Sequence, residues 1–468
     1  MSQIATVVYA FGILGLFVLD RDRRGQTSIA LWLPVVWLLI NGSRPVSVWL
    51  QIGPPASADL YLEGSPLDRS IYLALLATGV MVLLWRPAAV ARFFRANPWI
   101  VLFVSYCAIS VTWSDYPDVA FKRWIKSVSD IVMVLIVLTE AQRSCAIRRL
   151  LARTAFVLVP ISVLLIKYYP DMARYYSRWE GKQFVSGVAE DKNMLGMTCL
   201  VFGLGAVWQL VGAWRTQKGW DRTRRLIAHG TILAMVFWLL WMANSMTSVS
   251  CLILAASLIV ATSAGGVVRK PAVVHLMVAA IVGVAFSVLF LDIGVSALEA
   301  IGRNPTLTGR TEIWRVLLQV DGNPVFGTGF ESFWLGERLE KLWNMGNLLN
   351  GLNQSHNGYL EVYLNLGCIG LALLAILIVT GYRNVIAALR RDPQTGALRL
   401  GFFVAAVIYS FTEAAFKIMS PIWIALLLAI AAVPEPPTSE ATPPLDIYQF
   451  NQRADGKPKP ADDRPCCT

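Results

Sequence analysis

Long apolar runs separated by polar stretches set the character of this chain. Thirteen runs stand out, at 4–19, 29–40, 70–85, 98–112, 127–139, 154–169, 194–213, 227–243, 249–263, 272–291, 358–381, 400–412 and 418–433. At a rise of about 1.5 Å per residue, roughly 20 residues cross a hydrocarbon core, so the shorter runs need flanking residues or surrounding protein to complete a span. The pattern predicts an all-α integral membrane protein with about 12 to 13 transmembrane helices. One interruption stands apart, a polar segment at 292–357 between the tenth and eleventh runs. The chain divides accordingly into amino-terminal helices (1–97), a transmembrane core (98–291), the large loop (292–357), carboxyl-terminal helices (358–433) and a tail (434–468).

Lys and Arg gather in alternate gaps. Those after runs 1, 3, 5, 7, 9 and 11 hold 21 basic residues in 74 positions, against 15 in 143 for the others. Because short cytoplasmic loops are enriched in basic residues, the first set reads as cytoplasmic, and the 292–357 loop as external. Run 1 is followed rather than preceded by basic residues, which reads as a retained helix and not a signal peptide. The tail opens Pro434-Glu435-Pro436-Pro437 and is rich in proline and charge, so it reads as a disordered cytoplasmic segment.

Composition agrees with this class, at 56% hydrophobic, 15% charged and a mean hydropathy of +0.55. The net charge of +11 follows from the basic cytoplasmic loops, which face anionic headgroups, and no nucleic-acid motif accompanies it. Cys107, Cys199, Cys251 and Cys368 lie in apolar runs, Cys145 in a basic gap and Cys466-Cys467 in the tail, with no metal-site or disulfide spacing.

The external gaps at 113–126, 170–193 and above all 292–357 are where chemistry can reside. In the largest, Ile313, Trp314, Leu317 and Val320 recur at helical spacing, which predicts an amphipathic helix on the membrane surface with Arg310 and Arg315 placed for anions. The loop ends at Ser355-His356-Asn357-Gly358. His229 and His275 fall near cytoplasmic ends, which leaves His356 the one external histidine. A base and a fixed cation in one outer segment suit an anionic substrate.

Three elements in order resemble the O-antigen ligase and polymerase family. They are Thr308-Gly309-Arg310-Thr311-Glu312-Ile313-Trp314, then Asn323-Pro324-Val325-Phe326-Gly327-Thr328-Gly329-Phe330 with Phe333, then His356-Asn357 followed by Gly367-Cys368-Ile369-Gly370. Trp113-Ser114-Asp115-Tyr116-Pro117 and Asp191-Lys192-Asn193-Met194-Leu195-Gly196 are similar to the exopolysaccharide polymerase branch, and the likeness spans roughly 105–430. Relatives often carry a basic residue where this chain has Met246, and are often drawn with about twelve spans.

The resemblance implies a GT-C-like glycosyltransferase of the bacterial inner membrane that moves a glycan from a polyprenyl diphosphate to a sugar hydroxyl in the periplasm. Its implied partners are the lipid-linked donor, a glycan acceptor, membrane lipids, and a polysaccharide flippase and chain-length regulator. A polymerase and a ligase acting on lipid A core differ only in acceptor.

The residues suit the reaction in their own right. Arg310 offers a charged bidentate fork for a diphosphate, and His356 an imidazole that works as a base near neutral pH. Further cations that can neutralise phosphate are Arg303, Lys192, Lys182 and Arg178. No Asp-x-Asp pair lies near them, so neither metal nor other cofactor is expected.

Structural alternatives stand beside these roles. His356 also suits a helix-start hydrogen bond, and Arg310 a snorkelling contact. Gly367 and Gly370 read as sites of close helix packing, Tyr359 and Tyr363 as interfacial aromatics, and Glu413 with Lys417 as a structural ion pair four residues apart. A transporter or flippase is the rival class, but the two halves show no internal match.

Overall fold

The computed structural model describes all residues except 23–26, 53–63, 177–182, 264, 269, 291–309, 321, 347–348 and 434–468. The predicted disordered tail, Cys466, Cys467, Arg178, Lys182 and Arg303 therefore lie outside the described residues. So do Thr308 and Gly309 of the first motif.

Helices dominate. Leaving out single turns, they are α1 (Ser2–Leu19), α2 (Trp32–Asn41), α3 (Pro66–Leu84), α4 (Pro87–Ala96), α5 (Pro98–Ile109), α6 (Pro117–Leu138), α7 (Arg143–Tyr168), α8 (Lys192–Thr216), α9 (Gly219–Ala243), α10 (Met246–Ser263) and α11 (Pro271–Phe290). The loop contributes α12 (Arg310–Leu317) and α13 (Gly336–Asn344), and α14 (Gly358–Arg391), α15 (Pro393–Tyr409) and α16 (Pro421–Ile430) follow. A two-stranded antiparallel hairpin, β1 (Arg174–Tyr176) and β2 (Gln183–Val185), lies between α7 and α8.

Each of the thirteen apolar runs falls on a helix. Among the described residues, eight helices are long and apolar enough to cross a membrane, or nine if α4 and the helix from Pro98 to Trp113, bent by 88°, form one span. The remaining runs fall on helices that are short or interrupted by charge, and protein covers them: every residue of α16 is buried. By contrast α1, α3 and α11 leave most of their apolar surface uncovered, as lipid-facing helices do. This is an all-α, multi-pass membrane protein.

Local chemistry sets the helix starts. Proline opens α3, α4, α5, α6, α15 and α16, where its missing N–H costs nothing. Asp191 caps α8 by accepting from the amides of Asn193 and Met194, at 2.8 and 2.9 Å. Asn357 caps α14 by accepting from those of Tyr359 and Leu360, both at 3.0 Å. That cap fixes the residue after His356.

The loop has its own core. Ile313 and Leu317 of α12 pack with Phe333, Trp334, Leu339, Leu342, Leu349, Leu352 and Leu364. The apolar face of α12 is thus covered by the loop and by α14, and not offered to a membrane surface as its periodicity suggested. The same spacing serves either partner, and here residues 333–352 supply one close at hand.

Candidate functional site

Three segments distant in sequence converge on one carboxylate. Glu413, in the loop between α15 and α16, accepts from Arg310 Nη2 on Oε1 at 2.8 Å and lies 3.1 Å from His356 Nδ1 on Oε2. Asn193, at the start of α8, donates to the same Oε2 at 3.4 Å. Arg310 Nη1 also donates to the Thr412 carbonyl. The Glu413 side chain is 5% exposed, while His356 and Arg310 keep 22% and 28%, so the acid is buried beneath a base and a cation that reach solvent.

Burial alone would push the Glu413 carboxyl up. The hydrogen bond from His356 and the charge and hydrogen bond of Arg310 outweigh it and hold the group below the usual carboxylate range. An ionised carboxylate only accepts, so the imidazole nitrogen facing it carries the proton. That leaves Nε2 with its lone pair available, which is the arrangement a general base requires.

His356 itself sits in the left-handed region at φ 51°, a conformation with a cost for a non-glycine residue. Its neighbours hold it there. Trp314 Nε1 donates to the Ser355 carbonyl at 2.8 Å, and the Ser355 amide donates to Glu361 Oε2 at 2.9 Å. Trp334 Nε1 donates to the other Glu361 oxygen at 2.5 Å. On the far side the Gly358 amide donates to the Ser410 carbonyl at 2.8 Å, and Asn357 Nδ2 to that of Phe411 at 3.2 Å, joining the start of α14 to the end of α15.

The glycine motifs shape the backbone around this turn. α14 breaks at Gly367 (φ 65°), and the Pro324–Gly329 backbone fills the break. The amides of Cys368 and Ile369 donate to the carbonyls of Pro324 and Val325 at 2.9 and 3.2 Å, while those of Thr328 and Gly329 donate to Leu364 and Asn365 at 3.2 and 2.9 Å. A Cβ on Gly367 would stand 2.2 Å from the Val325 oxygen. The expected helix–helix contact at Gly367 is instead a helix–loop contact at a break. Gly370 abuts Leu366 across that break, where a Cβ would lie 2.2 Å from the Leu366 Cβ.

Trp113-Ser114-Asp115-Tyr116 braces the same loop. Ser114 Oγ lies 2.7 Å from Ser332 Oγ, Asp115 pairs with Arg338 at 2.7 Å, and Tyr116 fills the space beside Gly336.

Other sequence candidates fall differently. Lys192 places Nζ 3.6 Å from the centre of the Phe184 ring, although its neighbour Asn193 reaches Glu413. Glu413 pairs with Arg310 and His356 rather than with Lys417. Tyr359 donates to the Val407 carbonyl at 3.1 Å and stacks among Phe411 and Phe416, so it serves packing. His229 and His275 bind Asp20 and Tyr382 elsewhere. Among the described residues no group of three His, Cys, Asp or Glu side chains is arranged to hold a metal.

The sequence did not single out Glu413 as the partner of Arg310 and His356, or Glu361 as that of Ser355 and Trp334. The available signal was a lone acid near the start of an apolar run for Glu361 and one directly after such a run for Glu413.

Residues 230–375 match the family model described as O-antigen ligase. The chain is 26% identical over 359 residues to the exopolysaccharide production protein ExoQ of Rhizobium meliloti (strain 1021), covering 72% of this chain and 78% of that protein. The matched segment contains Arg310, His356 and the Gly367 break, and both likenesses, to an O-antigen ligase model and to an exopolysaccharide production protein, support a role for this membrane protein in polysaccharide biosynthesis.

Proposed function

We propose that the protein transfers a polyprenyl-diphosphate-linked oligosaccharide to a sugar hydroxyl at the outer face of the bacterial inner membrane, acting as a polysaccharide polymerase. The observation that carries this is the Glu413 carboxylate holding His356 Nδ1 on one oxygen and Arg310 on the other. His356 Nε2 takes the proton of the acceptor hydroxyl, and the acceptor oxygen forms the new bond to the anomeric carbon of the donor. The bond from that carbon to the diphosphate oxygen breaks, and the polyprenyl diphosphate leaves with the electron pair. Each terminal nitrogen of Arg310 has a second N–H beyond the one given to Glu413 or Thr412, so a phosphate oxygen can be held without dismantling the pair.

The exopolysaccharide relative favours the polymerase over transfer to lipid A core. The loop and its cluster favour an enzyme over a flippase, which needs no base.

The test uses purified protein with a polyprenyl-diphosphate donor in excess chelator. Chain elongation by the wild type is expected, with loss in His356→Ala and Arg310→Ala, and incomplete recovery in Arg310→Lys because an ammonium lacks the planar fork. Turnover that requires a divalent ion would remove the metal-free reading. Transfer only to lipid A core would make the protein a ligase. Donor movement across a liposome without a new glycosidic bond would make it a flippase.

A further inference from the structure

At the other end of α14 a half-open cleft of about 230 Å³ lies between α5, α14 and α16, beside the bend from α4. It is about two dozen residues along the chain from His356, beyond the break at Gly367, and shares no residue with the cluster around Glu413. Its frame is fully bonded. Asn97 donates to the Ala432 carbonyl at 2.8 Å and accepts from the Ala432 amide at 2.7 Å. Asn384 donates to the Ile430 carbonyl at 3.0 Å, and Thr380 to that of Ile376 at 2.7 Å.

One lining group is left over. Arg383 is exposed and has no hydrogen bond or ion pair to any described residue. Below it the walls are apolar, with Leu377 and Ile100, and Trp99 stands at the side with 40% of its surface open. The bend brings α4 across the end of α5, with Phe93 buried and Phe94 and Arg95 exposed, the pattern of a helix lying at a membrane interface. The gaps that supply Arg95 and Arg383 are among those reading as cytoplasmic.

We propose that this cleft binds the headgroup of an anionic phospholipid from the adjacent leaflet, with Arg383 on the lipid phosphate and the Leu377–Ile100 wall against the glycerol and first methylenes. A cation over a cleft with apolar depth and an aromatic rim fits a lipid rather than a free anion, whose charge would leave those walls uncovered. The frame explains the site's rigidity: Asn97, Asn384 and Arg399 hold carbonyls at and just beyond the end of α16, and the lining contains no carboxylate that could neutralise the charge of Arg383 internally.

The test is lipid retention by the purified full chain in native mass spectrometry, titrated with phosphatidylglycerol, phosphatidylcholine or free glycerol phosphate. Phosphatidylglycerol should be held about fivefold more strongly than phosphatidylcholine, and glycerol phosphate not at all. Arg383→Gln should erase the preference, Arg383→Lys should keep most of it, and Arg390→Gln on the same helix outside the cleft should leave it unchanged. Equal loss in Arg383→Gln and Arg390→Gln would mean diffuse surface charge and overturn the site, as would equal retention of the two lipids. If Arg383→Gln does not accumulate, a diazirine at the glycerol of phosphatidylglycerol reports on the wild type. Crosslinks confined to 96–100 and 377–384 support the site, and crosslinks scattered around the lipid belt refute it.

Discussion

Replacing Glu413 separates the proposed catalytic part of the cluster from its structural part. Glu413→Gln keeps the side-chain volume, and its amide oxygen can still accept from Arg310. The amide NH2 then faces His356 Nδ1, which must become an acceptor, so the ring proton moves to Nε2, the nitrogen proposed to take the acceptor's proton. A positioned general base contributes about 10²- to 10⁴-fold, so turnover should fall by about that range. Protein abundance should stay near wild type.

Glu413→Ala removes every bond to a buried acid that now joins Arg310, His356 and Asn193. Breaking a buried pair costs about 3 to 5 kcal/mol, and the lower end applies because Arg310 and His356 are 28% and 22% exposed and can turn to water. The assays are elongation with a lipid-linked donor, and unfolding in detergent followed by tryptophan fluorescence. Glu413→Gln within threefold of wild-type turnover would refute the orienting role, whatever its stability.

Gly367→Ala should destabilise by about 2 to 5 kcal/mol, from the left-handed backbone and the collision with the Val325 carbonyl, whereas Gly230→Ala, with open space around it, should be near neutral; thermal unfolding of both checks this. The pH dependence has a definite sign. Glu413 titrates below its unfolded value of about 4.3, so the stability it contributes is full above that pH and disappears as pH falls through the lower folded value. Wild type should lose more stability than Glu413→Gln in an acid titration, and parallel curves would contradict it. Reporters fused after Gly346 and after Asp392 should lie on opposite sides of the membrane, the first outside. Finding both on one side would remove the basis for an external site.

Apolar periodicity revealed the helices because burial in lipid or in protein demands the same continuous run. It could not say which helices contact lipid: α16 and α11 are alike in hydropathy, yet one is fully enclosed and the other mostly open. Arg310 and His356 were legible from residue type and order.

Their partner was not, for a physical reason. Reading Glu413 with Lys417 assumes the i, i+4 face of a helix, but residues 410–420 turn instead, with the Ala415 amide bonded to the Glu413 carbonyl and Met419 at φ 60°. The role of Gly367 was hidden the same way, since spacing from His356 presumes a continuous helix and the backbone breaks there. Lys192 was placed by net charge, which says nothing of the Phe184 ring that holds its ammonium.

The long loop does more than cover the site. The left-handed turn at His356 costs on the order of 1–3 kcal/mol, and the bonds that offset it come from Trp314 on α12, Glu361 on α14 and Ser410 after α15. Trp334, which holds Glu361, is seated in the same apolar cluster that seats α12. Arg310 begins α12, so the packing of Ile313 and Leu317 sets the position of the cation while the Trp334–Glu361–Ser355 chain sets that of the base. Both depend on one small core, and Glu413 meets them from the α15–α16 side. A shift of α12 by a fraction of a turn would therefore separate Arg310 from Glu413 and loosen Ser355 together, which ties the cation and the base to the folded state of the loop as a single unit.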